Sequence, residues 1–356
     1  MHNIINDKSL VLGIMSGTSM DGLDISCARY YKTNNIWNFD LIASKTMPFD
    51  EHWQLKLLNT FNRKNCIEKM DVQFGNFISK SVQEFINYFD LKIDLISSHG
   101  HTVFHNPSLG YTKQIGLGSV IANTVKVPVV SNFRQQDIDL GGQGAPLVPI
   151  GDKLLFSQYD ACINLGGIAN ISCDSNEARI AFDISPCNML LNYVSEREGF
   201  VFDRDGIMAK KGKVDQNLLT KLNNINYYQL SFPKSLGKEY IDQIFVPIIN
   251  NTLISNYDIL CTLVEHIAIK ISSLLSKYNL SNTLFTGGGA LNLYLIDRIS
   301  RLSSTKIILP EIDIINFKEA IIFGFLGVLR MQNKVNCLSS STGASVNHSS
   351  GDIHML

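Results

Sequence analysis

A chain of 356 residues has the length for two domains or one large one, and 45% hydrophobic against 18% charged residues supply material for real cores. A formal net charge of -1 with a pI near 6.7 excludes a broad electrostatic footprint for nucleic acid or an anionic membrane. Seven cysteines, odd in number and without a Cys-x-x-Cys pair, fit free thiols in a reducing compartment and not a disulfide framework or a zinc site.

The N-terminus, Met1-His-Asn-Ile-Ile-Asn-Asp7, lacks the basic start and cleavage site of a signal peptide. No apolar run reads as long enough to span a bilayer, so a cytoplasmic α/β protein is expected. Residues 10–15, 23–31 and 37–47 read as strands. Between the first two runs Gly13-Ile-Met-Ser-Gly-Thr-Ser-Met-Asp-Gly-Leu-Asp24, a strand, a small-residue turn and a returning strand. Its tip offers backbone N–H groups and the hydroxyls of Ser16, Thr18 and Ser19 as donors to phosphate oxygens. Gly17 and Gly22 permit positive φ and close ligand approach. Asp21 and Asp24 place carboxylates near such a phosphate, which suggests a magnesium ion or its waters. With no lysine and no following helix this is not a P-loop, nor is it Gly-x-Gly-x-x-Gly. Taken alone it reads first as a hairpin with a solvated tip; the later motifs reverse that reading.

A helical region over 52–89, a strand at 95–98, a helix at 118–126 and a strand at 128–133 complete the first half. The strand at 95–98 runs into Ser97-Ser-His-Gly-His-Thr-Val-Phe-His105. His99 and His101 are placed on one face there, but no third ligand at zinc spacing is evident, so a polar cluster without a transition metal is expected. Arg134 follows a strand and suits an anionic substrate group. The glycine-rich Asp139-Leu-Gly-Gly-Gln-Gly-Ala-Pro146 reads as a linker or hinge between halves.

The second half repeats the element order. Strands are expected at 159–165, 170–173 and 179–183, helices over 188–198, 242–250 and 258–277, a strand at 283–286, a helix at 291–299, a strand at 306–309 and a helix at 316–332. Asn164-Leu-Gly-Gly-Ile-Ala-Asn170 puts a glycine turn, Gly166 and Gly167, where the first half has its hairpin tip. Gly287, Gly288 and Gly289 join a strand to a helix, either by plain close packing or as a backbone approach to a nucleotide. Asp183 ends a strand, where a carboxylate faces a cleft in most α/β architectures. Asn188 is the better N-cap for the helix that follows. Asp203-Arg-Asp-Gly206 lacks the other ligands of a calcium loop and reads as a turn. Glu319 lies in an otherwise apolar helix, as an exposed residue or a substrate contact. Two β-β-β-α-β-α-β halves imply two related ribonuclease-H-like domains with a ligand cleft between them. The expected division is 1–134, joined by part of 335–356, and 135–334.

The residues 14–24, 98–105, 128–134, 141–147, 164–170, 287–289, 318–320 and 341–344 together resemble the signatures of anhydro-N-acetylmuramic acid kinases, in that family's order along nearly the whole chain. The family is similar to the actin–hexokinase–heat-shock ATPase superfamily. The resemblance implies cleavage of the 1,6-anhydro bond of anhydro-N-acetylmuramic acid by water, with phosphorylation of O6 from ATP and magnesium, in cell-wall recycling. It implies Asp183 as catalytic base. Gly17, Thr18, Ser19, Met20, Asp21, Gly22, Leu23 and Asp24, with Gly166, Gly167, Gly287, Gly288 and Gly289, would bind ATP and its phosphates. Arg134, Glu319 and His101 would meet the sugar, and magnesium would be held through the phosphates with Asp21 or Asp24. The chain departs from the family at His101, where a glutamine is usual, and at Ile184-Ser-Pro-Cys187, where the family carries Thr-Gly-Pro and small positions. The partner expected is a small sugar, with no nucleic acid or membrane and a homodimer left open. Two alternatives stand beside this: another sugar or acid kinase of the fold acting on a free hydroxyl, and a nucleotide-gated module without catalysis.

Overall fold

The computed structural model describes residues 5–17, 20–176 and 178–356. The chain forms two compact units, one of residues 1–156 and 317–356, the other of residues 157–316. The division expected at residue 134 falls instead after Phe156, and the chain returns to the first unit at Phe317. The reason is packing. Ahead of the division, the helix Pro149–Leu155 carries Asp152, which forms a buried ion pair of 2.9 Å with Lys318. Phe156 then packs its ring edge-on against Phe39.

In the first unit, β1 (Leu10–Ser16), β2 (Gly22–Thr33) and β3 (Ile36–Pro48) form an antiparallel meander. β4 (Leu95–Asn106) and β6 (Val129–Ser131) run parallel to β1, and β5 (Tyr111–Ile115) folds back on β4 as a hairpin. The sheet order is β12-β6-β4-β1-β2-β3, closed at one edge by β12 (Asp352–His354). The helical region over 52–89 is two helices, Glu51–Phe61 and Ile67–Phe89. Asp50 caps the first through Trp53 N–H at 2.8 Å, and the left-handed Arg63 (φ 57°) lies in the break between them. The helix Ile312–Met331 lies against β1 and β4. It can approach closely because small residues line both sides. A Cβ on Gly13 would lie 1.8 Å from the Ala320 carbonyl oxygen, and one on Gly327 would meet Ser97 at 2.6 Å. Tyr30 donates to the Ile321 carbonyl at 2.6 Å, and Ser97 to the Phe323 carbonyl at 2.5 Å.

The second unit repeats the topology. β7 (Ala161–Leu165), β8 (Ile168–Ser175) and β9 (Ala178–Pro186) form an antiparallel meander. β10 (Asn282–Thr286) and β11 (Lys306–Ile308) extend it in parallel, giving the order β11-β10-β7-β8-β9. The duplicated α/β domain inferred from element order is therefore present as two sheets with one strand order. The helix Asn256–Lys277 is long and apolar enough to cross a membrane by length and composition, contrary to the reading that no run reaches that length. Its apolar residues have another use: Leu260, Leu263, Val264, Ile267 and Ile271 are fully buried in the core of this unit. Burial of each such side chain contributes about 1.5–3 kcal/mol.

The segment 139–146 is not a free linker. Gly144 N–H donates to Asp137 Oδ2 at 2.7 Å, Gly142 N–H to the Asp137 carbonyl at 2.8 Å, and Gln143 N–H to the Thr342 carbonyl at 2.8 Å. Gly141 (φ 82°) and Gly144 (φ 67°) supply the left-handed turns that bring these groups together.

Candidate active site

The first turn leaves β1 at Ser16, passes Gly17 and enters β2 at Gly22. Thr18 and Ser19 lie outside the described residues, so the expectation placed on their hydroxyls stays with the sequence. Met20 adopts a left-handed conformation (φ 54°), a cost characteristic of tight functional turns. Gly22 is needed there, since a Cβ would approach the Thr46 methyl and the Met47 carbonyl oxygen to 2.7 and 2.8 Å. Asp24 pairs across the strands with Thr46, whose hydroxyl donates to Asp24 Oδ1 at 2.6 Å. Burial, with the charges of Asp21 and Glu319, raises the Asp24 carboxyl to about 6 against the bond from Thr46. Asp21 and Glu319 thus both lie within electrostatic reach of Asp24 in this unit.

At the other side of β1, Ser16 pairs with His101 on β4, and Ser16 Oγ lies 2.9 Å from His101 Nδ1. An extra residue in β4 between the partners of Ile14 and Ser16 makes a bulge at Gly100 (φ 73°). The bulge breaks the alternation that placed His99 and His101 on one face, and the two rings take different partners. Arg134 Nε donates to His99 Nε2 at 2.8 Å, and His99 Nδ1 donates to the Gly100 carbonyl at 2.9 Å. Those two bonds fix a neutral ring protonated at Nδ1. Burial holds His101 down to about 4, so it too is neutral at pH 7. Arg134 Nη1 donates to the Gly144 carbonyl at 2.7 Å. Burial lowers the guanidinium to about 10, while Glu319 favours its charge. Burial raises the Glu319 carboxyl, opposed by Lys318 and Arg134.

In the second unit Gly166 and Gly167 form the tight turn between β7 and β8. Their carbonyls accept the N–H groups of Asn188 and Cys187 at 3.1 and 2.9 Å, which seats the turn on the start of the helix Asn188–Ser195. The helix is capped this way and not by an Asn188 side-chain bond to its own backbone; Asn188 Nδ2 donates instead to the Leu165 carbonyl at 3.0 Å. Gly287 (φ 80°) follows β10, and a Cβ there would meet Asn164 Oδ1 at 2.4 Å. Gly288 and Gly289 open a short 3₁₀ turn. Asp203 accepts the N–H groups of Met208 and Ala209 at 2.8 and 2.9 Å, so the Asp203–Gly206 turn caps a helix.

Asp183 stands inside β9, directly opposite Asn170 of β8. Asn164 pairs with Asn170 and with Thr286, so Thr286, Asn164, Asn170 and Asp183 form one polar row across four strands. Asp183 Oδ2 accepts the Leu236 N–H at 2.8 Å, and Tyr227 donates to the Asp183 carbonyl at 2.5 Å. Burial raises the carboxyl, and the Leu236 bond opposes the rise. A half-buried carboxylate with one oxygen fixed by a backbone N–H and the other without a hydrogen bond from the described residues is suited to accept a proton from water. The row is what the glycine-centred reading missed; its signal was the pair of asparagines flanking the turn, Asn164 and Asn170.

Two sheets of one strand order, each with a tight turn between its first two strands, make this chain a duplicated α/β protein. Residues 9–355 match the family model described as anhydro-N-acetylmuramic acid kinase, and the chain belongs to that family. A relative of that name from Sulfurovum sp. is 33% identical over 98% of this chain and 100% of its own. Those from Vibrio parahaemolyticus and Clostridioides difficile are 33% and 32% identical, covering 95% and 94% of this chain and 96% and 95% of theirs.

Proposed function

We infer that this chain is the kinase that opens 1,6-anhydro-N-acetylmuramic acid with water and phosphorylates O6 from ATP, giving N-acetylmuramic acid 6-phosphate and ADP in cytoplasmic cell-wall recycling. Membership of the family along the whole chain supports the class, and the observation that carries the chemistry is Asp183. In the anhydro sugar O6 bears no proton and cannot attack phosphorus as a free hydroxyl would. Water must attack C1. Asp183 takes the proton as the C1–O bond forms, the C1–O6 bond breaks, and O6 takes the γ-phosphoryl group as ADP departs.

Asp21 and Asp24 fit a magnesium ion carried by the phosphates. A hard cation prefers carboxylate oxygens; burial raises Asp24, the charge of Asp21 adds to the rise, and a cation would favour the ionised form against both. The ion would supply charge stabilisation on the transferring phosphoryl group. Residues 17–24, with Gly166, Gly167 and Gly287 to Gly289, would offer backbone N–H groups to ATP. Arg134, oriented by His99 and the Gly144 carbonyl, would pair with the sugar's carboxylate, with Glu319 and neutral His101 beside it.

The test is ADP release against a panel of sugars with and without the anhydro bridge, run in oxygen-18 water. The expected product carries the label at the anomeric carbon. Label in phosphate marks an ATPase with a bound sugar, and turnover only with free-hydroxyl sugars marks a conventional kinase.

A further inference from the structure

The C-terminal segment of the first unit carries a second chemical cluster, apart from the residues given roles above. Cys337 and His348 face each other across an isolated antiparallel bridge: Cys337 N–H donates to the His348 carbonyl at 3.1 Å, and His348 N–H to the Cys337 carbonyl at 3.2 Å. The bridge brings both side chains onto Asp137, in the short helix Gln135–Asp139. Cys337 Sγ lies 3.1 Å from Asp137 Oδ1, and His348 Nε2 lies 3.6 Å from the same oxygen. Their ligand atoms fall within 4.8 Å of one another, and all three residues are buried.

The histidine makes this more than a hydrogen-bonded cluster. His348 Nδ1 donates to the Val346 carbonyl at 3.1 Å. In the neutral ring that bond leaves Nε2 as a bare lone pair, and Nε2 is buried without a hydrogen-bond partner. A lone pair aimed at a carboxylate oxygen is unfavourable unless a proton or a metal cation lies between them. Oxygen and nitrogen ligands at about 2.0–2.1 Å and a thiolate at about 2.3 Å around a tetrahedral ion stand about 3.3–3.6 Å apart. The Nε2–Oδ1 distance of 3.6 Å is at the upper end of that spacing, and the Sγ–Oδ1 distance of 3.1 Å would open by a few tenths of an ångström to admit the ion.

We propose that Asp137, Cys337 and His348 form a binding site for a borderline-soft divalent cation of the zinc class. Thiolate, imidazole and carboxylate together select such an ion over magnesium or calcium. The Cys337 thiol proton passes to solvent as the sulfur–metal bond forms. Thr342 Oγ1, 2.7 Å from Asp137 Oδ1, is the oxygen at hand for a fourth position. Asp137 also accepts the Gly144 N–H through its other oxygen, the supporting bond that orients metal ligands. The ion would pin residues 337–348 to the 139–146 loop. The scattered cysteines gave no hint of this, because Asp137 lies 200 positions from Cys337 in sequence.

The full chain, stripped with a chelator, is titrated with cobalt(II) while thiolate charge-transfer and tetrahedral d–d absorption are read. One equivalent is expected, with zinc displacing it and raising the parent's melting temperature by several degrees. Cys337→Ser should abolish the charge-transfer band and His348→Gln weaken binding at least tenfold, while His101→Gln leaves both unchanged. X-ray absorption on the zinc-loaded parent, which needs no variant to fold, should show one sulfur among nitrogen and oxygen neighbours. No thiolate band in the parent, a band that persists in Cys337→Ser, or a sulfur-free shell would overturn the assignment.

Discussion

Asp183→Asn separates catalysis from folding at one atom. Asp183 Oδ2 accepts the Leu236 N–H at 2.8 Å. In the variant the amide oxygen must take that position, because the nitrogen cannot accept. The amide NH2 then stands where Oδ1 was, a donor in place of the acceptor that water needs. Loss of a general base costs about 10²–10⁴ in rate, or roughly 3–5.5 kcal/mol of transition-state stabilisation. Stability should move much less. Replacing a charged acceptor by a neutral one weakens the Leu236 bond by about 1 kcal/mol. Removing a carboxylate that burial already disfavours offsets part of that. Steady-state ADP release with the anhydro sugar, ATP affinity by calorimetry and urea unfolding together check the split. Turnover within threefold of the parent would refute Asp183 as the base, and Glu319→Gln would be the next variant.

Lys318→Met leaves Asp152 charged and buried without its 2.9 Å partner, and urea unfolding should show a loss of about 3–5 kcal/mol; a change under 1 kcal/mol would contradict burial of the pair. Arg134→Lys puts one ammonium nitrogen where the planar guanidinium has two, Nε on His99 and Nη1 on the Gly144 carbonyl, so KM for the sugar should rise at least tenfold with ATP affinity unchanged in calorimetry. His266, held by Tyr228 and Asn223, is lowered from 6.5 to about 3 by burial, with Lys270 adding to the shift. Its neutral form is the native one, so its contribution is complete above pH 6.5 and is lost as pH falls toward 3. Between pH 6.5 and 4.5 that amounts to about 2 kcal/mol. His266→Gln should flatten the slope of unfolding free energy against pH over this window, and an unchanged slope would assign the acid sensitivity elsewhere.

The elements legible in the sequence are those whose signal is local. β1, β2 and β3 each carry an apolar run bounded by small or polar residues, and the stripe of Leu260, Leu263, Ile267 and Ile271 marks its helix. What escaped depends on partners far along the chain. β12 is three residues long and exists because Asp352 to His354 pair with Ser131 to Val129. The boundary near residue 134 was misplaced because Lys318, not anything local, holds the helix of Asp152 in the first unit. The glycine turns were visible as composition, while the Thr286–Asn164–Asn170–Asp183 row appears only once strand register is fixed.

That register bears on why two similar sheets carry different chemistry. The first three strands of each unit correspond, β1 with β7, β2 with β8 and β3 with β9. In the first unit the carboxylate of the cross-strand pair is on the second strand, Asp24, and a hydroxyl, Thr46, is on the third. In the second unit the amide Asn170 is on the second strand and the carboxylate Asp183 is on the third. An acid on the second strand sits just past the turn, near Asp21, where the cation and phosphate proposed above would favour its charged form. An acid on the third strand is one strand spacing, roughly 4.8 Å, further from its turn. There burial raises its carboxyl against the bond from the Leu236 N–H, which suits the role of base proposed for it. One strand order can therefore serve phosphate binding in one copy and proton transfer in the other, through the exchange of an acid between adjacent strands.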